Sequence, residues 1–223
     1  LVLKQQRLAK EQWRHTLKQV APTDRERLGD IAIEQNWFDL AIDAANSGAI
    51  WDRLDLRFPA VHWDEFQRIA ALQQLDAYEL IAVARRESGL YPFARSKVGA
   101  RGLMQLMPST ARSMAAKQNA PYLGDASLYQ PNTNILLGAT YYRELMQRYE
   151  RNRVKSLAAY NAGPSRVSRW SSGELPLDQW VDSLPFGETR EYVQAVLAYT
   201  VIYRTRSGVT ASLLSDSERT ARY

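Results

Sequence analysis

The chain of 223 residues contains no cysteine, which excludes disulfide bonds and thiolate metal sites. Its two histidines, His15 and His62, lie far apart in the sequence and provide no cluster of metal ligands. The sequence therefore predicts neither a metal site nor a bound cofactor.

Long apolar runs are missing as well, and no stretch approaches the roughly 20 apolar residues of a membrane-spanning helix. Strand signals are scarce, so a mainly α fold is expected. The chain begins with Leu1 and shows no signal-peptide pattern. We interpret it as a mature or truncated product whose targeting segment has been removed.

The composition, with 45% hydrophobic and 24% charged residues, is that of a globular protein with an ordinary core. The net charge of +5 favours an anionic partner, which could be a nucleic acid, a membrane surface or an acidic cell wall. The arginines are scattered along predicted helices and form no basic run, which argues against nucleic acid.

One predicted helix places a carboxylate on its apolar face. Asp76 is a suitable N-cap with Glu79 three residues later, the spacing of a capping box, and Gly89 indicates the helix end. Glu87 follows the apolar face formed by Leu80, Val83 and Ala84. Desolvation and the negative end of the helix dipole should both raise the pKa of this glutamate. Such a carboxyl group suits general acid catalysis.

A structural alternative for Glu87 is an ion pair with Arg85, Arg86 or Arg95 in the last turn. The segment that follows contains Gly99 and Gly102, which permit a tight turn over the helix end, and Pro108, which opens the next helix. Taken alone, the two methionines of this segment, Met104 and Met107, are predicted to be core residues.

Four motifs carry a family resemblance. They are Glu87-Ser88-Gly89, GARGLMQLMP (99–108), AAYNAGP (158–164) and LPFGETREYV (184–193), with weaker similarity upstream in WDRLDLRFP (51–59). In order and spacing they resemble the soluble lytic transglycosylases of Gram-negative bacteria. The resemblance implies a lysozyme-like α+β catalytic domain with a small sheet, a periplasmic location and peptidoglycan glycan strands as the partner. Other cell-wall enzymes are further candidate partners, no integral membrane segment is expected, and the oligomeric state stays open with a monomer favoured.

By this resemblance, Glu87 is the single catalytic residue, acting first as acid and then as base. It would cleave the bond between N-acetylmuramic acid (MurNAc) and N-acetylglucosamine (GlcNAc) without water, leaving a 1,6-anhydro end. Two alternatives remain open: a hydrolytic muramidase on the same fold, and an inactive peptidoglycan-binding module.

The resemblance also assigns substrate-binding positions around Glu87. Tyr160 would orient Glu87 or face the reacting sugar, although a core tyrosine with a satisfied hydroxyl is the alternative. Glu188 would contact substrate, although it equally suits a helix N-terminus. The remaining expected groove residues are Ser96, Gln105, Met107, Asn161 and Tyr192.

Helical periodicity and breaks predict the domain organisation. Residues 1–50 are interpreted as the C-terminal remnant of a helical superhelix, because two short helices around Thr23 to Gly48 look like one repeat, with a second capping box at Thr23 and Glu26. Residues 51–75 form a helical connection, residues 76–206 the lysozyme-like domain, and residues 207–223 a frayed tail rich in Ser, Thr and Arg.

Overall fold

The computed structural model describes residues 2–48, 50–120, 122–171 and 173–223. Over these ranges the chain is mainly helical, as predicted. The α-helices are α1 (Val2–Gln19), α2 (Pro22–Glu34), α3 (Phe38–Ser47), α4 (Leu54–Arg57), α5 (Trp63–Gln73), α6 (Ala77–Ser88), α7 (Pro108–Lys117), α8 (Pro131–Arg148), α9 (Arg153–Ala162), α10 (Pro164–Trp170), α11 (Leu177–Ser183), α12 (Gly187–Arg206) and α13 (Asp216–Thr220). A 3₁₀-helix covers Asp125–Tyr129.

Prolines define the start of α2, α7, α8 and α10, where the missing backbone N–H costs no helical hydrogen bond. The expected small sheet reduces, within the described residues, to two isolated antiparallel bridges: Arg95 with Arg101, and Arg101 with Leu106. Both bridges lie in the loop between α6 and α7, so the β structure is confined to the segment that follows Glu87.

The core surrounds α6. This helix packs against α5 and α12, and its residues 80–84 are fully buried. Trp180 from α11 and Tyr142 from α8 are among the largest fully buried side chains of the same core. A helix buried on nearly all sides is held rigidly, which fixes the position of the residues at its C-terminal end.

The N-terminal helices form a smaller core of their own. Ala32 of α2 and Ala41 and Ala45 of α3 are fully buried against Leu56. The predicted capping box at Thr23 is wrong, because α2 starts at Pro22 with Ala21 as N-cap and no side-chain cap. Glu26 instead pairs with Arg53, with 2.6 Å between Oε1 and Nη1.

The capping box predicted at Asp76 is also only half formed. The Asp76 carboxylate accepts a hydrogen bond from the Tyr78 N–H, but Glu79 turns into the protein, where it is 4% exposed. There it accepts a hydrogen bond from the Tyr142 hydroxyl and lies 3.9 Å from Arg153. A polar group buried in this way needs such partners, and α8 and α9 provide them.

The prediction that residues 207–223 fray is wrong for the end of this segment. Ser215 and Glu218 form a capping box that starts α13, and Glu218 pairs with Arg153 at 2.7 Å. Tyr223 is fully buried, with its ring centroid 5.3 Å from that of Trp180. One aromatic anchor and one buried ion pair thus attach a polar segment to the core.

Within the described ranges, no helix combines the length and apolarity needed to cross a membrane. The same part of the chain brings together no group of three or more acidic or histidine side chains that could hold a metal ion.

Candidate active site

Helix α6 positions Glu87 at the edge of the core. The Asp76 carboxylate caps the first turn by accepting from the Tyr78 N–H at 2.9 Å, and Gly89 ends the helix in the left-handed conformation at φ 63°. Leu80, Val83 and Ala84, on the same face as Glu87, are fully buried. The predicted helix, its ends and its buried face are therefore confirmed.

Burial of the carboxyl group raises the pKa of Glu87 to about 7. The Tyr192 hydroxyl and the Arg86 cation lower this pKa, whereas the negative charge of Glu188 raises it. The residue keeps partial access to solvent at the groove described below. Near neutral pH, Glu87 is thus present in both its protonated and its charged form.

The structure does not contain the alternative ion pair for Glu87 in the region it describes. Arg85 donates instead to the Arg57 carbonyl at 2.7 Å, and the nearest carboxylate partner of Arg86 is Glu191 at 3.9 Å. Among the described residues, Glu87 forms no salt bridge within 4.0 Å, so its carboxyl group is available to a ligand in the groove.

Tyr192 lies beneath Glu87 rather than on the groove surface. Its side chain, from α12, is 2% exposed, and its hydroxyl makes no well-formed hydrogen bond within the described residues. The hydroxyl is nevertheless close enough to favour the charged form of Glu87, and its own pKa lies well above the usual range because of burial and the Glu87 charge. The structure therefore places Tyr192 as a neighbour of Glu87.

Glu87 opens into a groove with a volume of about 830 Å³. One wall comes from the end of α6 and the loop that follows it, and includes Ser88, Gly89, Ala94 and Gln105. The facing wall comes from α1 and α3 and carries two ion pairs, Lys10 with Asp39 at 2.6 Å and Arg14 with Asp43 at 2.7 Å. The N-terminal helices thus form part of the same groove as Glu87.

Gln105 is fixed on this groove by its own side chain. It has the unusual φ of 46°, and its Nε2 donates to the carbonyls of Ala94 at 3.2 Å and Gly102 at 2.9 Å. Ser96 closes the preceding turn, where its hydroxyl accepts from the Ala100 N–H at 2.9 Å. Ser96 does not line the groove itself, so its contact with substrate remains a prediction.

Asn134, fully buried on α8, organises the loop that carries Gln105. Its Oδ1 accepts from the Met104 N–H at 2.7 Å, and its Nδ2 donates to the carbonyls of Arg101 and Leu128 at 2.9 Å. Gly102 is required here, since a Cβ at this position would lie 2.2 Å from Asn134 Nδ2. Met104 is a core residue, as its sequence context predicts.

Tyr160 and Asn161, from α9, both make internal hydrogen bonds. The Tyr160 hydroxyl donates to the Met104 carbonyl at 2.8 Å, and the Asn161 Oδ1 accepts from the Thr189 hydroxyl at 2.7 Å. The Tyr160 geometry matches the alternative of a core tyrosine with a satisfied hydroxyl. Burial raises the pKa of this hydroxyl, and the Glu87 charge raises it further.

Glu188 and Met107 are exposed. Glu188 is in the first turn of α12, a favourable place for a negative charge, and Met107 is the N-cap of α7 with 38% of its surface exposed. Of the predicted site residues, Glu87 and Gln105 line the groove directly, and Tyr192 and Glu188 shift the pKa of Glu87. The Glu87 charge in turn contributes to the raised pKa of Tyr160.

Sequence reasoning missed Asn134 and the facing wall of the groove. Asn134 lies four residues before Gly138 on the buried stripe of α8, so a polar residue in an apolar stripe was the available signal. The ion pairs between α1 and α3 left no signal in the sequence, because charged residues at helical spacing normally face solvent.

Three family models match the chain. The transglycosylase SLT domain covers residues 64–181, the soluble lytic murein transglycosylase L domain residues 1–54, and the soluble lytic transglycosylase helical domain residues 183–211. The helical-domain match thus falls at α12, whereas residues 1–54 match the L domain. The interpretation of residues 1–50 as a superhelix remnant stays a prediction.

Known relatives cover nearly the whole chain. The soluble lytic murein transglycosylase of Salmonella typhimurium is 39% identical over 96% of this chain and 34% of its own length. The crystal structure of the 70-kDa soluble lytic transglycosylase of Escherichia coli is 38% identical, with a TM-score of 0.92 over 96% of this chain and 35% of that one.

A third relative is an inactive glutamate-to-glutamine mutant of the lytic transglycosylase Slt from Pseudomonas aeruginosa. It is 37% identical, with a TM-score of 0.89 over 93% of this chain and 34% of that one. The chain spans about a third of the length of these relatives. On the SLT-domain match and the agreement in fold, this chain belongs to the transglycosylase SLT domain family.

Proposed function

We propose that this chain is a peptidoglycan lytic transglycosylase in which Glu87 alone transfers both protons. The observation that carries the proposal is a glutamate with a pKa of about 7 that has no ion pair among the described residues and opens into a groove. Such a group can donate a proton and then accept one at the same pH. The inactive glutamate-to-glutamine mutant of the Pseudomonas relative supports a glutamate in this role.

The reaction begins when protonated Glu87 transfers its proton to the oxygen that links MurNAc to GlcNAc. The bond between this oxygen and MurNAc C1 breaks, GlcNAc leaves with its hydroxyl, and positive charge develops on the muramoyl ring. The Glu87 carboxylate then removes the proton from the muramoyl C6 hydroxyl, whose oxygen attacks C1. A 1,6-anhydro ring forms, Glu87 is protonated again, and no water is consumed.

An internal nucleophile removes the need for a second catalytic carboxylate. Attack within one sugar benefits from a high effective concentration, which a free water molecule lacks. The other carboxylates that line the groove, Asp39 and Asp43, are engaged with Lys10 and Arg14. These paired groups suit a structural role better than activation of a water molecule.

A hydrolytic muramidase is the second candidate, and Glu188 is the observation that favours it. This carboxylate is close enough to raise the pKa of Glu87, and retaining and inverting hydrolases both use two carboxyl groups. In that reaction Glu188 would activate a water molecule. It would then be needed for turnover.

Product mass separates the two reactions. Purified peptidoglycan is digested with the chain, and the released muropeptides are weighed by mass spectrometry. Lytic transglycosylation gives anhydro products, each lighter by one water than the reducing-end products of hydrolysis. We expect anhydro products from the unaltered chain, and from Glu188→Gln as well.

Glu87→Gln should abolish release, with Glu34→Gln as the matched control because Glu34 is exposed on α2. Reducing-end products that disappear in Glu188→Gln would contradict the transglycosylase proposal and identify a muramidase. Full activity in Glu87→Gln would contradict both reactions. Tight binding of peptidoglycan without any release would indicate the binding module.

The same proposal includes the setting of the enzyme. The named relatives come from Gram-negative bacteria, which together with the proposed peptidoglycan substrate supports a periplasmic location. The net charge of +5 suits an acidic wall polymer. Ser96, Asn161 and Glu188 are proposed as contacts of the strand, with Gln105 and Met107 beside the cleaved bond.

A further inference from the structure

A second cavity, of about 630 Å³, lies between the N-terminal helices and the turn that follows α6. Four aromatic side chains line it: Trp13, Trp37, Tyr91 and Phe93. Polar groups at its margins include Gln12, Thr16 and Asn36. We call this cavity the aromatic cleft.

The aromatic cleft is preformed. Trp13 Nε1 donates to the Leu40 carbonyl at 3.1 Å, and the Trp37 backbone N–H donates to the Ala32 carbonyl at 2.7 Å. Trp37 is the N-cap residue of α3, yet 48% of its surface is exposed. The backbone of Trp37 is thus fixed while its indole is open to solvent, an arrangement that suits a binding surface.

The aromatic cleft is continuous with the groove of Glu87. Lys10, Asp39, Tyr91 and Phe93 line both cavities. The Tyr91 and Phe93 rings are 6.0 Å apart, and Phe93 is 6.1 Å from Tyr129, which also lines the groove. Three aromatic rings, those of Tyr91, Phe93 and Tyr129, therefore form a row from the aromatic cleft into the groove of Glu87.

The chemistry of the cleft indicates what it holds. A pyranose ring presents apolar C–H faces and hydroxyl edges, and the cleft offers aromatic faces beside amide and hydroxyl groups. Among the described residues that line it, the one cation, Lys10, is neutralised by Asp39 at 2.6 Å and covers the Tyr91 ring at 4.5 Å from its centroid. This arrangement suits an uncharged sugar better than the carboxylates of a peptide stem.

We propose that the aromatic cleft is an outer subsite for the glycan strand, binding sugar units beyond those at Glu87, with Trp37 as its main contact. The proposal rests on the proposed function, because it assigns a further part of the same substrate. It makes the N-terminal helices part of the substrate-binding surface.

Binding of long, peptide-free glycan strands to the Glu87→Gln chain tests the subsite without turnover. In this background Trp37→Ala should weaken binding about tenfold by calorimetry, equivalent to about 1.4 kcal/mol. Trp37→Phe should retain most of the affinity because it keeps an aromatic face. Trp51→Ala is the matched control, since Trp51 is 61% exposed and does not line the cleft.

Equal affinity in Trp37→Ala and the unsubstituted background would overturn the proposal. A loss seen only with peptide-bearing strands would overturn it in favour of a peptide-stem site. If Trp37→Ala lowers the melting midpoint, Gln12→Ala serves as the second variant, because Gln12 is exposed on α1, and it should weaken binding about threefold. Binding is measured without catalysis, so the affinities test the subsite even if the product analysis contradicts the proposed lytic reaction.

Discussion

The Tyr160 hydroxyl donates to the carbonyl of Met104 at 2.8 Å, while the N–H of Met104 donates to Asn134 at 2.7 Å. Residues from α9 and α8 therefore hold the same loop residue through its backbone. Gln105, the next residue, is kept at a φ of 46°, which a non-glycine side chain adopts only when its surroundings impose it. The position of Gln105 in the groove wall thus depends on the hydrogen bonds that Tyr160 and Asn134 make with the Met104 backbone.

Replacing Asn134 by alanine should destabilise the protein strongly. The change leaves the Met104 N–H and the carbonyls of Arg101 and Leu128 without their buried partner, at a cost of about 3 kcal/mol in the free energy of unfolding. Urea denaturation measures this loss. Asn132→Ala, at an exposed position of the same helix, should change stability by less than about 1 kcal/mol. Equal effects of the two variants would show that the buried amide is not needed.

The pH profile of kcat/KM should report the Glu87 carboxyl group. Since the acid form starts the proposed reaction, activity should fall as pH rises through about 7. The Tyr192 hydroxyl lowers the pKa of Glu87 by favouring its charge, so Tyr192→Phe should raise that pKa and move the alkaline limb to higher pH. An alkaline limb of Tyr192→Phe that lies at the same pH as in the unaltered protein, or at a lower pH, would contradict this coupling.

Tyr160→Phe provides the contrasting tyrosine variant. Its hydroxyl serves the Met104 carbonyl, so the change should cost about 1 to 2 kcal/mol in the free energy of unfolding while the alkaline limb stays in place. Thermal or urea unfolding and the pH profile are measured on the same preparation. A shifted limb at unchanged stability would instead indicate that Tyr160 acts directly on Glu87.

Glu79 should make the stability depend on pH. Burial raises its pKa in the folded state from 4.5 to about 7, against the opposing effects of Arg153 and Tyr142. Between these values the folded state binds more protons at Glu79 than the unfolded state, so the contribution of Glu79 to stability is fully present below about pH 4.5 and is lost as pH rises through about 7. The decline attributable to Glu79 is up to about 3 kcal/mol.

Glu79→Gln removes this titration, and the stability curve between pH 4.5 and about 7 should become flatter. Glu87 contributes a decline in the same direction, so the double variant with Glu87→Gln should be flatter still. Glu34→Gln, at an exposed position of α2, is the matched control. A curve for Glu79→Gln that overlays the unaltered protein would show that Glu79 keeps its charge when buried.

The parts of the site that depend on local sequence were predictable. Asp76 and Gly89 define α6 by chemistry close to each end, and the apolar spacing places Glu87 on the buried side. Pro108 opens α7, as predicted from its position after the glycine-containing turn. Capping residues, prolines and periodicity act over a few positions, so the sequence displays them directly.

Features that depend on distant partners were not predictable. Glu79 has the spacing of a capping residue, but Tyr142 and Arg153 bind it inside the core. The polar composition of the tail indicated fraying, whereas one buried residue, Tyr223, attaches it to Trp180. The facing wall of the groove arises from the way α1 and α3 dock, which no local pattern encodes.

In the proposed function, this docking puts the proton-transfer group and the proposed strand contacts in different parts of the chain. Glu87 and Tyr192 lie within residues 76–206, whereas Trp37 and the ion pairs of Lys10 and Arg14 belong to the first 48 residues. Exchanging the N-terminal helices between related enzymes would therefore be a route to altered strand preference with the proton-transfer machinery intact.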